Sequence, residues 1–175
     1  MSGAKQPLKH RWTFSLRYLS DQIDRAELRT TLTYRLTRTF QLGVEYNPLA
    51  DEVAPLANWL VLPETAKRPA LMLGTSTDRI GTPHGQSFYA TLSKGLKRET
   101  RLPIAPYVGV MYGTYEDRFR PVGGLSVYFT ENFSTLTTFD GVHGHQLVNY
   151  TWKRHVISLV LVRFRSPGFS YSIAF

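Results

Sequence analysis

Two short stretches of this chain gather side chains that move protons or attack electrophiles. In Gly81-Thr82-Pro83-His84-Gly85-Gln86-Ser87 an imidazole stands three residues from a hydroxyl. In Asp140-Gly141-Val142-His143-Gly144-His145 a carboxylate precedes two imidazoles. Serine, histidine and an acid together can run hydrolysis: the imidazole takes the hydroxyl proton and the acid orients the imidazole. That chemistry requires hydrogen-bond reach, which spacing along a chain does not supply, and a loop histidine beside glycine is more often a solvated turn residue. His84, Ser87, Asp140, His143 and His145 are therefore the first suspects for catalysis, and no catalytic residue is assigned. The alternation His143-x-His145 also turns two imidazoles to one side of an extended segment, as a transition-metal site would need. Two ligands without a third define no site, so neither a metal nor a cofactor is expected.

The elements that carry these residues are strands. Trp12, Phe14, Leu16 and Tyr18 alternate with Thr13, Ser15 and Arg17; Leu28, Leu32, Tyr34 and Leu36 alternate with Arg29, Thr31, Thr33 and Arg35; Phe40, Leu42, Val44 and Tyr46 alternate with Gln41, Gly43 and Glu45. A period of two is the side-chain period of a strand with two different faces. Further segments of the same kind lie near 57–62, 69–77, 86–96, 104–116, 119–130, 133–140, 145–152, 156–165 and 168–175. Ala50–Leu60 is a weak helix candidate, and no stretch carries a capped 3.6-residue stripe. The chain reads as all-β with about twelve strands. Leu28 to Tyr46 keeps one parity across Thr37–Thr39 without Gly, Pro or Asn, and merging such pairs gives eight or ten.

The connections fall into two sets. Thr37–Thr39, Glu64–Arg68, Lys97–Arg101, Thr130–Asn132 and Lys153–His155 are short and mostly basic. Ser20–Arg25, Asn47–Pro55, Asp78–Gly85, Glu116–Arg120, Asp140–Gly144 and Ser166–Gly168 are longer or richer in Gly, Pro and Asp. A closed antiparallel up-and-down barrel alternates its connections in this way, with tight turns at one rim and looser loops at the other.

Composition bounds the setting. With 175 residues and no cysteine, the chain is one domain without disulfides or thiolate chemistry. No run of roughly 18 apolar residues exists, so no helix spans a bilayer. Charged residues are 19% and mean hydropathy is −0.22, values that fit a soluble protein and equally a membrane barrel, where only alternate residues meet lipid. Aromatics reach 13% and sit near segment ends, among them Trp12, Tyr18, Phe40, Tyr46, Trp59, Tyr115, Phe133, Trp152, Phe164 and Phe169. An apolar ring with a polar tip suits a headgroup interface. The net charge of +8 points to anionic partners, but the basic residues divide between two rims and form no continuous stripe, so nucleic acid is not expected.

The last strand is the most specific signal. Gly168, Phe169, Ser170, Tyr171, Ser172, Ile173, Ala174 and Phe175 alternate strictly and end on an aromatic carboxy-terminus. This ending resembles the assembly signal of bacterial outer-membrane β-barrels, carried here by Gly168, Phe169, Tyr171, Ile173 and Phe175. The resemblance covers one strand and marks a class. It implies residence in the outer membrane of Gram-negative bacteria, folding by the barrel assembly machinery and both termini in the periplasm, with residues 1–10 as a periplasmic tail and 11–175 as the transmembrane barrel. The short basic turns are then periplasmic and the Gly/Pro/Asp loops external. Rim arginines and lysines would meet anionic headgroups, including lipopolysaccharide phosphates. Met1 to Pro7 carries no apolar h-region, so this reading requires that a secretory signal was removed or replaced.

On that register Arg29, Arg35, Glu45 and Lys94 face the lumen. Charges there either line a water-filled pathway or pair into a plug. The external loops, about three to nine residues, are too short for a large ligand-binding crown. The expectation is a small passive channel. The alternatives are a non-conducting structural or partner-binding barrel within an envelope complex, then a lipid-modifying enzyme, then a soluble barrel with its apolar face inward.

Overall fold

The computed structural model describes residues 10–175. Twelve strands form one closed antiparallel barrel: β1 (Trp12–Leu19), β2 (Leu28–Arg35), β3 (Phe40–Asn47), β4 (Glu52–Leu62), β5 (Ala70–Thr77), β6 (Gln86–Ser93), β7 (Ile104–Gly113), β8 (Arg118–Tyr128), β9 (Phe133–Phe139), β10 (Gly144–Trp152), β11 (His155–Val162) and β12 (Ser166–Ala174). Each strand pairs with its sequence neighbours, and β12 closes on β1. The only helices among the described residues are single turns, α1 (Asp24–Glu27) before β2, α2 (Lys97–Thr100) before β7, and a 3₁₀ turn at Pro48–Ala50.

The run Leu28–Tyr46 does break in two. Thr37 supplies what the missing Gly or Pro would have: its Oγ1 accepts the backbone N–H of Thr39 (3.2 Å) and of Phe40 (3.0 Å). Such hydroxyl turns fold the backbone back without a special residue. Three expectations need correction. Asn47–Pro55 is not a loop, Ser166–Gly168 is not a loop but the start of β12, and Ala50–Leu60 is not helical. The chain turns over Pro48–Ala50 and through Asp51, which takes the left-handed conformation (φ 48°), and β4 begins at Glu52. Ala54, Pro55 and Ala57 are poor strand formers, and the sheet overrides that preference by pairing Glu52–Trp59 with β3 and the stretch from Ala57 with β5.

The register sets which face is which. Phe14, Leu16 and Tyr18 pair with Ile173, Tyr171 and Phe169, and the large apolar residues of these strands point outward. Val108 is 63% exposed, Phe88 52% and Trp59 49%, so the apolar face is the outer one and the inward-apolar arrangement of a soluble barrel is not built. Phe175 is held as well, because it exchanges backbone bonds with Trp12 in both directions (2.9 and 3.0 Å). Aromatics gather at both ends of the outer wall: Trp12 against Tyr34, Trp152 against His155 and Phe129 against Phe133 at one end, Tyr112 against Phe119 at the other.

The inner wall carries small and hydroxyl residues together with apolar ones such as Met111, Leu136 and Leu147. Two inward tyrosines lie flat against it over glycines. A Cβ at Gly74 would collide with the Tyr89 ring and one at Gly124 with the Tyr107 ring. Each phenol then bonds one strand further on, Tyr89 to Asn58 Oδ1 and Tyr107 with Thr138 Oγ1.

Candidate functional site: a lumen closed at one rim

Inward positions show no change of character along β2, β8 and β9, whereas on β1, β3, β6, β7, β10, β11 and β12 they change along the strand. At the rim bearing the longer loops they are buried: Leu19 on β1, Glu45 and Asn47 on β3, Ser87 on β6 and Val162 on β11 are at most 2% exposed. Towards the rim bearing the termini, Thr13, Ser15, Gln41, Thr91, Ser93 and Thr151 are half-exposed. The lumen is closed at the loop rim, and these polar positions at the terminal rim are the more exposed ones.

The closure is the β5–β6 loop, Asp78–Gly85. Its chain folds back through Gly81 and Gly85, at φ 97° and 112°, and Asp78 N–H bonds Gly85 O (2.9 Å) across its base. Positive φ at both positions is easy for glycine and strained for other residues. Five strands lie between β5 and β11 in either direction round the barrel. Even so, Ile80 packs on Leu19, Val160 and Val162, with Leu147 alongside, so the loop crosses the mouth and docks on the opposite wall.

Polar groups fasten this lid from two further sides. Arg25, in α1 and 4% exposed, donates to the carbonyls of Asp78 (3.0 Å), Arg79 (3.2 Å), Thr82 (2.8 Å) and Gly85 (3.1 Å) and to Thr82 Oγ1, with Glu52 3.8 Å away. Burial lowers the Arg25 guanidinium from its ordinary value, and Glu52 and Asp78 act against that. On the other side Glu116, in the β7–β8 turn, takes Arg79 Nη2 on one oxygen (2.6 Å) and Arg120 Nε on the other (2.5 Å). Those hydrogen bonds hold its carboxyl down at about 2. Asp78 accepts the N–H of Arg79 (2.7 Å) and of Tyr115 (3.3 Å).

The residues singled out for catalysis meet only in part. His84 stacks edge-on against Tyr115 at 4.8 Å, while Ser87 is buried on β6 with its hydroxyl directed at the carbonyls of Ser76 and Thr77 (3.2 Å each). No hydrogen bond joins the two. Asp140 and His145 do meet (3.0 Å), and His145 Nδ1 accepts the N–H of Arg163 (3.3 Å), which makes Nε2 the protonated nitrogen that donates to Asp140. Both ring nitrogens are thus spent tying the β9–β10 turn to the β11–β12 turn. Burial alone would raise the Asp140 carboxyl; the bonds from His145 and from the N–H groups of His143 and Val142 outweigh it and hold it below its ordinary value. Burial, with Arg163 nearby, lowers His143. Among the described residues no three His, Cys, Asp or Glu side chains converge as metal ligands.

Of the four charges expected in the lumen, Arg29 and Glu45 form an ion pair on the inner wall, and Thr77 donates to the other Glu45 oxygen. Arg35 ends β2 at the terminal rim. Lys94 lies one residue past β6, its ammonium on Ala66 O (2.6 Å) and Glu99 (3.4 Å). Residues 1–9 of the expected tail lie outside the described residues. Three contributors went unnoticed in the sequence. Arg17 shares the parity of Thr13 and Ser15, which was a readable signal. Arg25 and Ile80 had none, since both act from loops. No protein-family model and no curated protein matches the chain.

Proposed function

We propose that this chain is a bacterial outer-membrane barrel acting as a small passive channel, closed at rest by the β5–β6 loop. The apolar outer wall with aromatics at both ends suits a lipid slab flanked by headgroups, where a water-facing surface of that kind would associate. The observation that carries the channel reading is the inner wall near the terminal rim, where Thr13, Ser15, Gln41, Thr91, Ser93 and Thr151 are polar and half-exposed. In this reading the termini and short turns face the periplasm, the lid faces outside, and rim arginines meet anionic headgroups or lipopolysaccharide phosphates. The strand ending at Phe175 is the segment offered to the barrel assembly machinery. Because His145 is committed to Asp140 and the Arg163 amide, Ser/His/acid chemistry forms no part of the proposal.

The test is conductance of the refolded protein in planar bilayers. Wild type gives brief, infrequent steps, and Ile80→Asp, which drives a carboxylate into the Leu19/Val160/Val162 contact, lengthens the open time. A second reading, a non-conducting barrel that binds a partner in an envelope complex, is favoured by the fastening of the lid on three sides. Stable insertion of both proteins without current selects it and sinks the channel.

A further inference from the structure

Arg17 and Arg29 stand directly opposite each other on β1 and β2, and both face the lumen. Like charges in that relation destabilise a strand pair unless something lies between them. The charges acting on Arg17 are Arg29, Glu45 and Arg25. Glu45 does not serve it: one oxygen pairs with Arg29 and the other accepts from Thr77. Opposite Arg17 on its other side is Ser170 of β12. No described residue makes an ion pair with Arg17, and the Nε atoms of both Arg17 and Arg29 are buried with no hydrogen-bond partner. Two guanidiniums thus share the field of one carboxylate, which makes its ion pair with Arg29 alone.

We propose that Arg17 and Arg29 form an oxyanion site on the inner wall, taking the carboxylate or phosphate group of a small solute that enters from the terminal rim. A guanidinium presents a planar fork of donors that fits two oxygens of such a group at once. The next inward layer towards the terminal rim is Ser15, Thr31 and Ser172, with Ser172 Oγ bonding Ser15 Oγ (2.8 Å), so the approach is lined by hydroxyls. An anion seated there removes the repulsion between the two arginines and partners the orphaned N–H groups. The site deepens the channel reading and rests on its solvent-entered lumen, but it does not depend on conduction.

Titration calorimetry of the full chain, refolded in nonionic detergent, tests this with inorganic phosphate and with acetate at matched ionic strength in chloride. Saturable binding at one site per barrel is expected, weakened at least about tenfold in Arg17→Met. That variant keeps an apolar stem and strands no carboxylate, whereas losing Arg29 would leave Glu45 buried and unpaired. Arg17→Lys, the check should Arg17→Met refold poorly, keeps the charge without the fork and binds with an intermediate constant. Binding of phosphate alone identifies a phosphoryl ligand, and binding of both anions admits a carboxylate. Equal binding by wild type and Arg17→Met, or no saturable heat with either anion, overturns the site. Arg17-dependent binding without bilayer current in any variant sinks the channel and keeps the site. Current without such binding does the reverse.

Discussion

Two connections of nearly equal length behave in opposite ways. The seven residues of 63–69 at the terminal rim and the eight of 78–85 at the loop rim flank the same strand, β5. The first stays on its rim and ties sideways: Glu64 Oε1 accepts the Gly95 N–H (3.1 Å) and Ala66 O takes the Lys94 ammonium. The second crosses the barrel. Length does not decide this. Pro63-Glu64-Thr65-Ala66-Lys67-Arg68-Pro69 holds no large apolar side chain to bury, whereas the other loop has Ile80 at its crest and a buried guanidinium below its carbonyls. One apolar anchor and one multivalent donor separate a loop that closes the mouth from one that stays on its rim.

The sharpest way to break the comparison is Arg25→Ala. It removes the donor to four carbonyls of the lid and leaves them at a buried site, at a cost of about 2–4 kcal/mol to lid closure. Amide exchange of 78–85 accelerates by about two orders of magnitude or more, while the Thr65–Arg68 turn is unchanged. Unchanged protection of 78–85 would mean that Ile80 alone holds the lid.

Gly74→Ala probes the wall away from the lid and carries a smaller cost, about 1–2 kcal/mol. The new methyl lifts the Tyr89 ring off the wall and breaks its bond to Asn58, so the ring projects into the lumen. Any conductance falls, and lid exchange stays as it was. An open lumen at that level is the condition for this result.

Acid has the smallest effect, confined to the loop rim. Glu116 sits at about 2 in the folded chain against an ordinary 4.5. Its contribution is therefore complete above about 4.5 and is lost as pH falls from there through about 2. Protection of the lid, taken relative to the intrinsic exchange rate at each pH, should be flat from neutral pH down to about 5 and fall below about 4, and Glu116→Gln should abolish that fall.

The strand pattern was legible because every strand has two unlike faces, and a period of two survives whichever face meets solvent. Thr37 hid one boundary only because a hydroxyl turn has no glycine or proline to announce it. Glu52–Leu62 was misread because Ala54, Pro55 and Ala57 lower strand propensity locally while the pairing that overrides them is contributed by β3 and β5. The lid was illegible for a different reason. Arg25 acts on backbone carbonyls 53 to 60 residues away, and carbonyls leave no trace in side-chain identity. His145 looked catalytic because the sequence displays its ring and conceals the Arg163 amide that occupies one nitrogen.

Ser87 and Ser93 test the central claim on a single strand, since they share the inward face of β6, one beneath the lid and the other near the terminal rim. The chain has no cysteine, so Ser87→Cys and Ser93→Cys each create the only thiol present. The measurement is the rate of modification of each variant by a charged, membrane-impermeant thiol reagent in refolded protein. A lumen closed at the loop rim predicts fast modification at 93, at least about tenfold slower modification at 87, and a gain at 87 alone when Arg25→Ala is added. Equal rates at the two positions with the lid intact would contradict it.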